Sequence, residues 1–375
     1  MAHAYTPGLK VTGKTLIKKR RILPLKGEVI VKIGDKVHPD DAVARTELPG
    51  NVEPTNVANI LGVPPEDVSE CMLKKIGDKV NKDEMIAKSK SFFGLFTSSC
   101  RAKIDGTIEN VSSITGQVLL RGAPIPVEVK AYLEGEVTDV YPREGVEVKC
   151  WGSFVQGIFG IGGETHGEIK VVSKDNKAVL DEKDITPELK GKVIIGGSLV
   201  TAAALNKAIA VGVRGIVVGG FNDKDLRDFL GYDLGVAITG NEDKGITLVV
   251  TEGFGQINMA DHTYALLKSK EGCLACINGA TQIRAGVIRP EVVIPLAEGK
   301  MGADEGTKAS SHGLEVGSPI RVIRHPYFGV IGKVTNLPSP LQKLESESMA
   351  RVLEVELEDG RRAVIPRANV ELLEE

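Results

Sequence analysis

The sequence is poor in aromatic residues, which make up 4% of its 375 positions and include one Trp. Its hydrophobic cores must therefore be built mainly from Val, Ile, Leu and Ala. Charge is nearly balanced, with 47 basic and 50 acidic residues and a formal net charge of −3. This balance argues against a general role in binding polyanions.

Long hydrophobic runs are also lacking. The longest apolar stretch, residues 208–221, is interrupted by Arg214 and is too short to span a bilayer, so we expect no membrane-spanning segment. Cysteine is scarce, and five of them is an odd number in a long chain. An unpaired set of this kind is typical of a reducing compartment, which predicts a cytoplasmic protein.

Four consecutive basic residues, Lys18 to Arg21, stand out near the start of the chain. Such a run could bind an acidic partner, but a charge run is usually a solvated face of the protein. We therefore expect these side chains to lie in solvent at the end of a strand.

A hexapeptide, Lys-Ile-Gly-Asp-Lys-Val, occurs at residues 32–37 and recurs unchanged at residues 75–80. In both copies a strand-like stretch runs into Gly-Asp, turns and continues towards a further apolar position. Gly provides turn geometry that residues with a Cβ avoid, and Asp can form a hydrogen bond within its own turn. Residues 102–119 have the same rhythm of strand, turn and strand.

These three segments resemble the barrel-sandwich hybrid of lipoyl and biotinyl carrier domains. The resemblance covers about residues 22–130 and implies a β domain at residues 1–131. Within it, residues 51–75 include Pro64 and Pro65 at the start of a short helix, a position that suits proline. We interpret residues 51–75 as a helical insertion in this domain.

Carrier domains place a modified Lys at the tip of a hairpin, and the corresponding tip of this chain carries Phe92, Phe93 and Phe96 instead. We therefore expect no lipoyl or biotinyl group, and no other cofactor. An exposed apolar tip would mark a contact site for a partner. The alternative is that this tip folds onto a neighbouring domain of the same chain.

Two further regions precede the C-terminal part. Residues 132–175 contain short alternating runs punctuated by Gly, which predicts a small Gly-rich β unit. Residues 185–295 contain continuous apolar runs, at 193–195, 215–218 and 246–250, that alternate with helical patterns. This alternation is typical of an α/β domain with a parallel sheet covered on both faces.

Glycines follow three predicted strands of the α/β domain. In open parallel sheets, ligands bind at the carboxyl ends of the strands, where glycines let backbone N–H groups approach an anion at a helix start. An anionic small molecule bound there would make the chain an enzyme or a ligand sensor. The alternative is that these residues form turns and helix caps, with Asn222 capping its helix. The candidate ligand-binding residues are Gly196, Gly197, Ser198, Gly219, Gly220, Asn222, Thr251, Glu252, Gly253 and Gly255.

Cys273 and Cys276 form a lone Cys-x-x-Cys pair. A structural zinc site needs four ligands, and the sequence has no second pair, so we expect two packed small side chains and no metal. His166 lies near Glu164 and could be a ligand or a base. No nucleophile is recognisable beside it, so we expect it to be inert and assign no catalytic residue.

Residues 296–313 are rich in Gly, Ala, Ser and Lys, which predicts a flexible linker. After it come a Pro-aromatic-Gly turn at residues 326–329, a Gly-x-Val strand at residues 332–334 and a closing Val-x-Leu at residues 370–372. Residues 314–375 closely resemble a KOW-type small β-barrel, as found in transcription elongation factors and ribosomal proteins. The resemblance implies contact with RNA or with a protein of the transcription or translation machinery.

We therefore predict a multidomain protein, β-rich plus α/β, that acts as a non-catalytic cytoplasmic adaptor through this barrel. Residues 314–375 carry eight basic and ten acidic residues, which weakens the RNA version. Cations and aromatics nevertheless gather around one turn, where they could bind phosphate and stack on bases. The alternative is that these aromatics fill the core of the barrel. The candidate partner-binding residues are Arg321, Arg324, Tyr327, Phe328 and Lys333, together with Phe92, Phe93 and Phe96.

Overall fold

The computed structural model describes residues 9–89, 98–231, 238–239, 244–282, 288–296, 314–322, 326–327, 330–343, 349–358 and 360–372. The chain is β-rich and its strands form several separate sheets. None of the helices in the described part of the chain has the length and apolar character needed to cross a bilayer.

The N-terminal half is almost entirely β-structure. Its strands are β1 (Val11–Ile22), β2 (Glu28–Val29), β3 (Lys36–Val37), β4 (Ala42–Leu48), β5 (Val52–Asn56), β6 (Lys79–Val80), β7 (Met85–Lys88), β8 (Ser99–Arg101), β9 (Gly106–Val111), β10 (Gln117–Arg121), β11 (Ile125–Lys130), β12 (Gly135–Tyr141) and β13 (Gly145–Gln156). Two short helices, α1 (Val57–Leu61) and α2 (Val68–Cys71), lie between β5 and β6.

These strands form two equivalent units, one nested inside the other. The outer unit (β1 to β4 with β11 to β13) contains the strand order β1–β13–β12–β3, and the inner unit (β5 to β10 with α1 and α2) contains the matching order β5–β10–β9–β6. The outer unit also has a hairpin of β4 and β11, and the inner unit has the corresponding hairpin of β7 and β8. The whole inner unit occupies the tip of the outer hairpin.

The two hexapeptides occupy equivalent turns of the two units. Gly34 donates its backbone N–H to Val137 O at 2.8 Å, and Gly77 donates to Ile108 O at 2.8 Å. In each turn the first Lys donates its backbone N–H to the Asp carboxylate, at 2.8 Å in the first copy and 2.7 Å in the second. The Val that ends each hexapeptide is buried, but in two separate hydrophobic cores. The repeat in the sequence therefore marks two structural units rather than two halves of one.

Nesting changes the predicted boundaries. Strand β12 pairs with β3 at Gly135 and Val37, so a boundary between residues 1–131 and 132–175 would divide the outer unit. Residues 51–75 include β5, which is the first strand of the inner unit, and are more than a helical insertion. The predicted boundaries came from local sequence patterns, whereas these strand pairings join segments that are far apart in the chain.

Both hexapeptide turns depend on a glycine in the left-handed region. Gly34 has φ of 90° and Gly77 has φ of 94°, and an added Cβ would meet no atom within 4 Å at either position. We expect Gly34→Ala and Gly77→Ala each to lower the free energy of unfolding by about 1–2 kcal/mol, because only backbone conformation is affected. Urea denaturation would measure this effect. Gly13→Ala, at ordinary φ with its nearest neighbour 3.8 Å away, is the control, and equal losses in all three variants would contradict the explanation.

The central region contains a mixed sheet with helices. Its strands are β14 (Phe159–Ile161), β15 (Glu164–Val171), β16 (Val179–Leu180), β17 (Val193–Ile195), β18 (Leu199–Val200), β19 (Gly215–Phe221), β20 (Ile238–Thr239), β21 (Thr247–Phe254), β22 (Leu274–Asn278), β23 (Thr281–Gln282) and β24 (Glu291–Pro295). Its helices are α3 (Ala202–Val211), α4 (Asp223–Leu230) and α5 (Asp261–Ser269).

Strands β17, β19 and β21 run parallel, as the continuous apolar runs predict, and β15 also pairs in parallel with β17. The sheet begins upstream of the predicted α/β domain, because β15 belongs to residues 132–175. It also continues through β22 and β24 into β13 of the outer unit. The predicted Gly-rich unit of residues 132–175 is thus divided between the outer unit and the central sheet.

The C-terminal domain consists of β25 (Pro319–Val322), β26 (Ile331–Asn336), β27 (Gln342–Lys343), β28 (Met349–Ala350), β29 (Val352–Leu357), β30 (Arg362–Pro366) and β31 (Val370–Leu372). Five of these strands form an antiparallel sheet in the order β30–β29–β26–β25–β31. A separate hydrophobic core, which includes Ile320, Val334, Leu353 and Val355, lies on one face of this sheet.

Candidate functional site

The structure brings the predicted glycine-rich edge together at the carboxyl ends of β17, β19 and β21. Gly219 donates its backbone N–H to Gly197 O at 2.8 Å, and Gly220 pairs with Gly253 across the strands. The side chain of Thr251 donates to Val218 O at 3.3 Å. These residues therefore lie beside one another at one edge of the sheet.

The space next to these glycines is filled by the chain itself. A Cβ on Gly197 would lie 2.4 Å from Ala178 O, and a Cβ on Gly220 would lie 2.0 Å from Gly255 O. Buried Ser198 donates its backbone N–H to Ala178 O at 2.9 Å and its Oγ hydroxyl to a neighbouring carbonyl at 2.7 Å. The glycines permit close packing of loops on the sheet, where we had predicted close approach of a ligand.

The end of β19 leads directly into α4 through Asn222. This residue occupies the N-cap position, but its side chain accepts no capping hydrogen bond and instead has Nδ2 3.3 Å from Asp225 Oδ2. Gly255 turns the chain after β21 with φ of 94° and donates its backbone N–H to Phe221 O at 2.9 Å.

A buried network of four charged side chains lies where this edge meets the C-terminal domain. Arg321 on β25 contacts Glu252 on β21 at 2.8 Å and Glu371 on β31 at 3.2 Å. Arg289, just before β24, contacts the same Glu371 at 2.7 Å. Arg321 also donates Nη1 to Thr251 O at 3.4 Å. The predicted ligand edge and the predicted partner face thus touch each other through these residues.

Arg321 differs from its predicted role as an exposed contact residue, because it is 0% exposed. Tyr327 is half-buried, packs on the domain's core and lies with its ring 5.7 Å from the Arg361 guanidinium. Among the described members of this set, Lys333 alone is exposed, and it pairs across the strands with exposed Glu356. The remaining predicted partner-binding residues, Arg324, Phe328, Phe92, Phe93 and Phe96, lie outside the described residues.

A second polar cluster joins the outer unit to the central sheet. Lys19 contacts Glu291 at 2.6 Å, and Glu291 also accepts a hydrogen bond from the Tyr132 hydroxyl at 3.1 Å. Arg21 binds both carboxylate oxygens of Glu164, at 2.7 and 2.6 Å. The basic run near the start of the chain was expected to be solvated. Lys18 and Arg20 are exposed as expected, whereas Lys19 and Arg21 are half-buried against Glu291 and Glu164.

Tyr132 is held in an unusual conformation for a bulky residue, with φ of 68°. Such left-handed backbone is sparsely populated by residues other than Gly, Asn and Asp, and it persists only where surrounding structure enforces it. Burial, followed by the nearby Glu291 carboxylate, raises the pKa of Tyr132 well above its ordinary value. The phenol therefore stays protonated and serves as a hydrogen-bond donor.

His166 lies on β15 at the rim of this cluster, with Nε2 3.4 Å from Asp40 Oδ2. Lys130 donates to Asp40 at 2.7 Å, and this hydrogen bond holds the pKa of the Asp40 carboxyl below its usual value. Among the residues described, no group of three or more His, Cys, Asp or Glu is arranged to hold a metal ion.

The Cys-x-x-Cys pair is split between two environments, since Cys273 is exposed and Cys276 is buried. The expectation of two packed side chains is therefore wrong for Cys273. Burial raises the pKa of both Cys276 and Cys150 to about 12.

We expect iodoacetamide at pH 8 to modify Cys273 at least about 100-fold faster than Cys150 or Cys276, because the thiolate is the reacting form. Peptide mass spectrometry of the folded protein would measure the rates, with urea-unfolded protein as the control. Equal rates in the folded protein would contradict the assigned burial.

Sequence reasoning missed Arg289, Glu371, Tyr132 and Glu291. Glu371 and Arg321 each stand between apolar residues of a strand, a pattern that indicates an outward-facing polar side chain. Only packing against another part of the chain buries that outer face, so the local pattern carried no signal of it.

Comparison with models of known protein families and with curated proteins gives no match. Functional inference therefore rests on the arrangement of residues.

Proposed function

We propose that this chain is a non-catalytic cytoplasmic adaptor that binds a protein of the transcription or translation machinery through its C-terminal domain. One observation carries the proposal. No hydrophobic cluster of the described residues combines side chains of the C-terminal domain with side chains of the rest of the chain. A small domain that has its own core and is joined to the rest of the chain by polar contacts is suited to act as a separate binding module.

The five-stranded antiparallel sheet of this domain supports the KOW-type interpretation. Its outer face has mixed charge, since exposed Lys333 lies opposite Glu356, and Arg362 lies 3.7 Å from the same carboxylate. A polyanion such as RNA requires clustered cations, because phosphate neutralisation supplies most of its binding free energy. The mixed face therefore favours a protein partner over RNA.

The alternative, an enzyme or small-ligand sensor at the glycine-rich edge, has less support. A Cβ added to Gly197, Gly219 or Gly220 would lie within 2.4 Å of a backbone carbonyl oxygen. These oxygens belong to residues 178, 257 and 255, respectively. A ligand would have to displace these loops before it could reach the edge.

The test is affinity capture from the protein's own host with the full chain. Wild type is compared with Lys333→Glu and with Lys183→Glu, which reverses an exposed charge on the central region. If the partner docks near Lys333, the captured amount should be unchanged with the control variant. It should fall by roughly tenfold with Lys333→Glu, because like charges repel across an interface. Capture that is unchanged by Lys333→Glu would show that the partner does not bind the face that carries Lys333. Capture that is abolished by ribonuclease would favour RNA as the partner.

A further inference from the structure

The C-terminal domain contacts the central sheet through Arg321. Arg321 contacts the Glu252 carboxylate at 2.8 Å and the Thr251 carbonyl at 3.4 Å. Both groups come from β21 of the central sheet. To Arg321 they present what an acidic peptide presents, namely a carboxylate beside a backbone carbonyl in an extended strand. Arg289 of the central region meanwhile contacts Glu371 of the C-terminal domain at 2.7 Å.

This contact is polar, whereas the junction between the outer unit and the central region has an apolar core in addition to its polar cluster. The outer unit shares a continuous sheet with the central region through β13 and β24, and its core includes Cys276 and Val293 of that region. The C-terminal domain shares no such cluster among the residues described. The outer unit is therefore joined to the central region by a shared sheet and core, whereas the C-terminal domain is joined to it by charged groups.

The net free energy of a buried charged contact is small. Burying ions removes their hydration, and the attraction between them roughly offsets that loss. Two donors of the network, Arg321 Nε and Arg289 Nη1, are buried without a hydrogen-bond partner in the described structure. A partner that also supplied acceptors for these two donors would compete with the docked arrangement.

We propose that the face of the C-terminal domain around Arg321 is a binding site for an acidic peptide, occupied in cis by Glu252. This inference rests on the proposed adaptor function and adds a way in which partner binding is regulated. Binding in trans requires that Arg321 leave Glu252, so the central sheet inhibits the site until a partner supplies a competing carboxylate. The guanidinium of Arg321 suits this partner because its planar donors match a carboxylate.

The test uses the full chain with Glu252→Gln. Glutamine keeps the shape of the side chain and can still accept the hydrogen bond that Ala260 N–H donates to Glu252 Oε1 at 3.1 Å. It loses the charge of one of the two carboxylates that contact Arg321, and Glu371 remains as the other. The control is Glu188→Gln, which makes the same charge change at an exposed position of the central region.

The first readout is labelling of the Glu371 carboxylate by carbodiimide and an amine, located by mass spectrometry. Glu371 is 1% exposed in the docked structure. We expect its labelling to rise at least about tenfold in Glu252→Gln, since the buried Arg321 guanidinium then loses the carboxylate that the central sheet supplies, which disfavours docking. It should be unchanged in Glu188→Gln. Unchanged labelling in Glu252→Gln would overturn the inference, while the capture experiment at Lys333 would still test the adaptor function by itself.

The second readout is binding of two probes, hexaglutamate and a uridine hexanucleotide, by the same three proteins. We expect hexaglutamate to bind Glu252→Gln at least about tenfold more tightly than wild type, because the competing carboxylate in cis has been removed. Glu188→Gln should bind like wild type. Hexaglutamate binding that is equal in all three proteins, or a gain for the hexanucleotide alone, would overturn the assignment of an acidic peptide.

Discussion

Replacing Gly197 by Ala is expected to lower the free energy of unfolding by about 3 kcal/mol or more, because its Cβ would overlap fixed backbone atoms. The added Cβ would lie 2.4 Å from Ala178 O and 2.7 Å from Asp175 O. Neither atom belongs to a flexible side chain, so a loop must move away from the sheet. Urea denaturation followed by circular dichroism would measure the loss.

The preceding residue provides a matched control. A Cβ on Gly196 would lie 3.2 Å from a methyl group of Val218, which can shift by a few tenths of an ångström. Gly196→Ala should therefore cost less than about 1 kcal/mol. If both variants were equally stable, the space beside Gly197 would be open, and the prediction of a ligand at this edge would regain its basis.

Tyr132→Ala should lower the free energy of unfolding by about 3–5 kcal/mol, which is typical when a large buried aromatic side chain is removed. The ring is 3% exposed, lies in the core of the outer unit and has the Arg21 guanidinium 5.5 Å from its centre. Its hydroxyl also contacts Glu291, so the change weakens the junction with the central sheet. Tyr132→Phe removes only the hydrogen bond and should cost about 1 kcal/mol.

The inner unit supplies the control for this prediction. Ala131 and Ala102 make corresponding hydrogen bonds in the two units, so Lys103 occupies the position equivalent to Tyr132. Lys103 is exposed and pairs with Glu53 at 2.9 Å at the surface, so Lys103→Ala should cost at most about 0.5 kcal/mol. Equal losses in Tyr132→Ala and Lys103→Ala, measured by the same denaturation, would show that Tyr132 does not anchor the junction.

Nesting explains why the hexapeptide repeat was informative and yet misleading. Each copy needs Gly for its φ and Asp for its turn hydrogen bond, and both requirements are met within four residues. The turns could therefore be predicted from the sequence. The two turns nevertheless belong to different units, because β3 pairs with β12, which follows the complete inner unit in the chain.

The amino-acid sequence by itself determined the elements whose causes are local. Continuous apolar runs produced the parallel strands β17, β19 and β21, and alternating runs produced the C-terminal strands. It also placed Gly197, Gly220 and Gly253 at neighbouring strand ends, because parallel strands end at the same edge of a sheet.

Only the tertiary structure decided what those elements face. A glycine has the same sequence signal whether a ligand or a carbonyl oxygen lies beside it, and loops from elsewhere in the chain filled that space. Arg321 has the pattern of an exposed strand residue, yet Glu252 and Glu371 enclose it. Burial of an outer face depends on which surface packs against it, and that surface comes from segments distant in the chain.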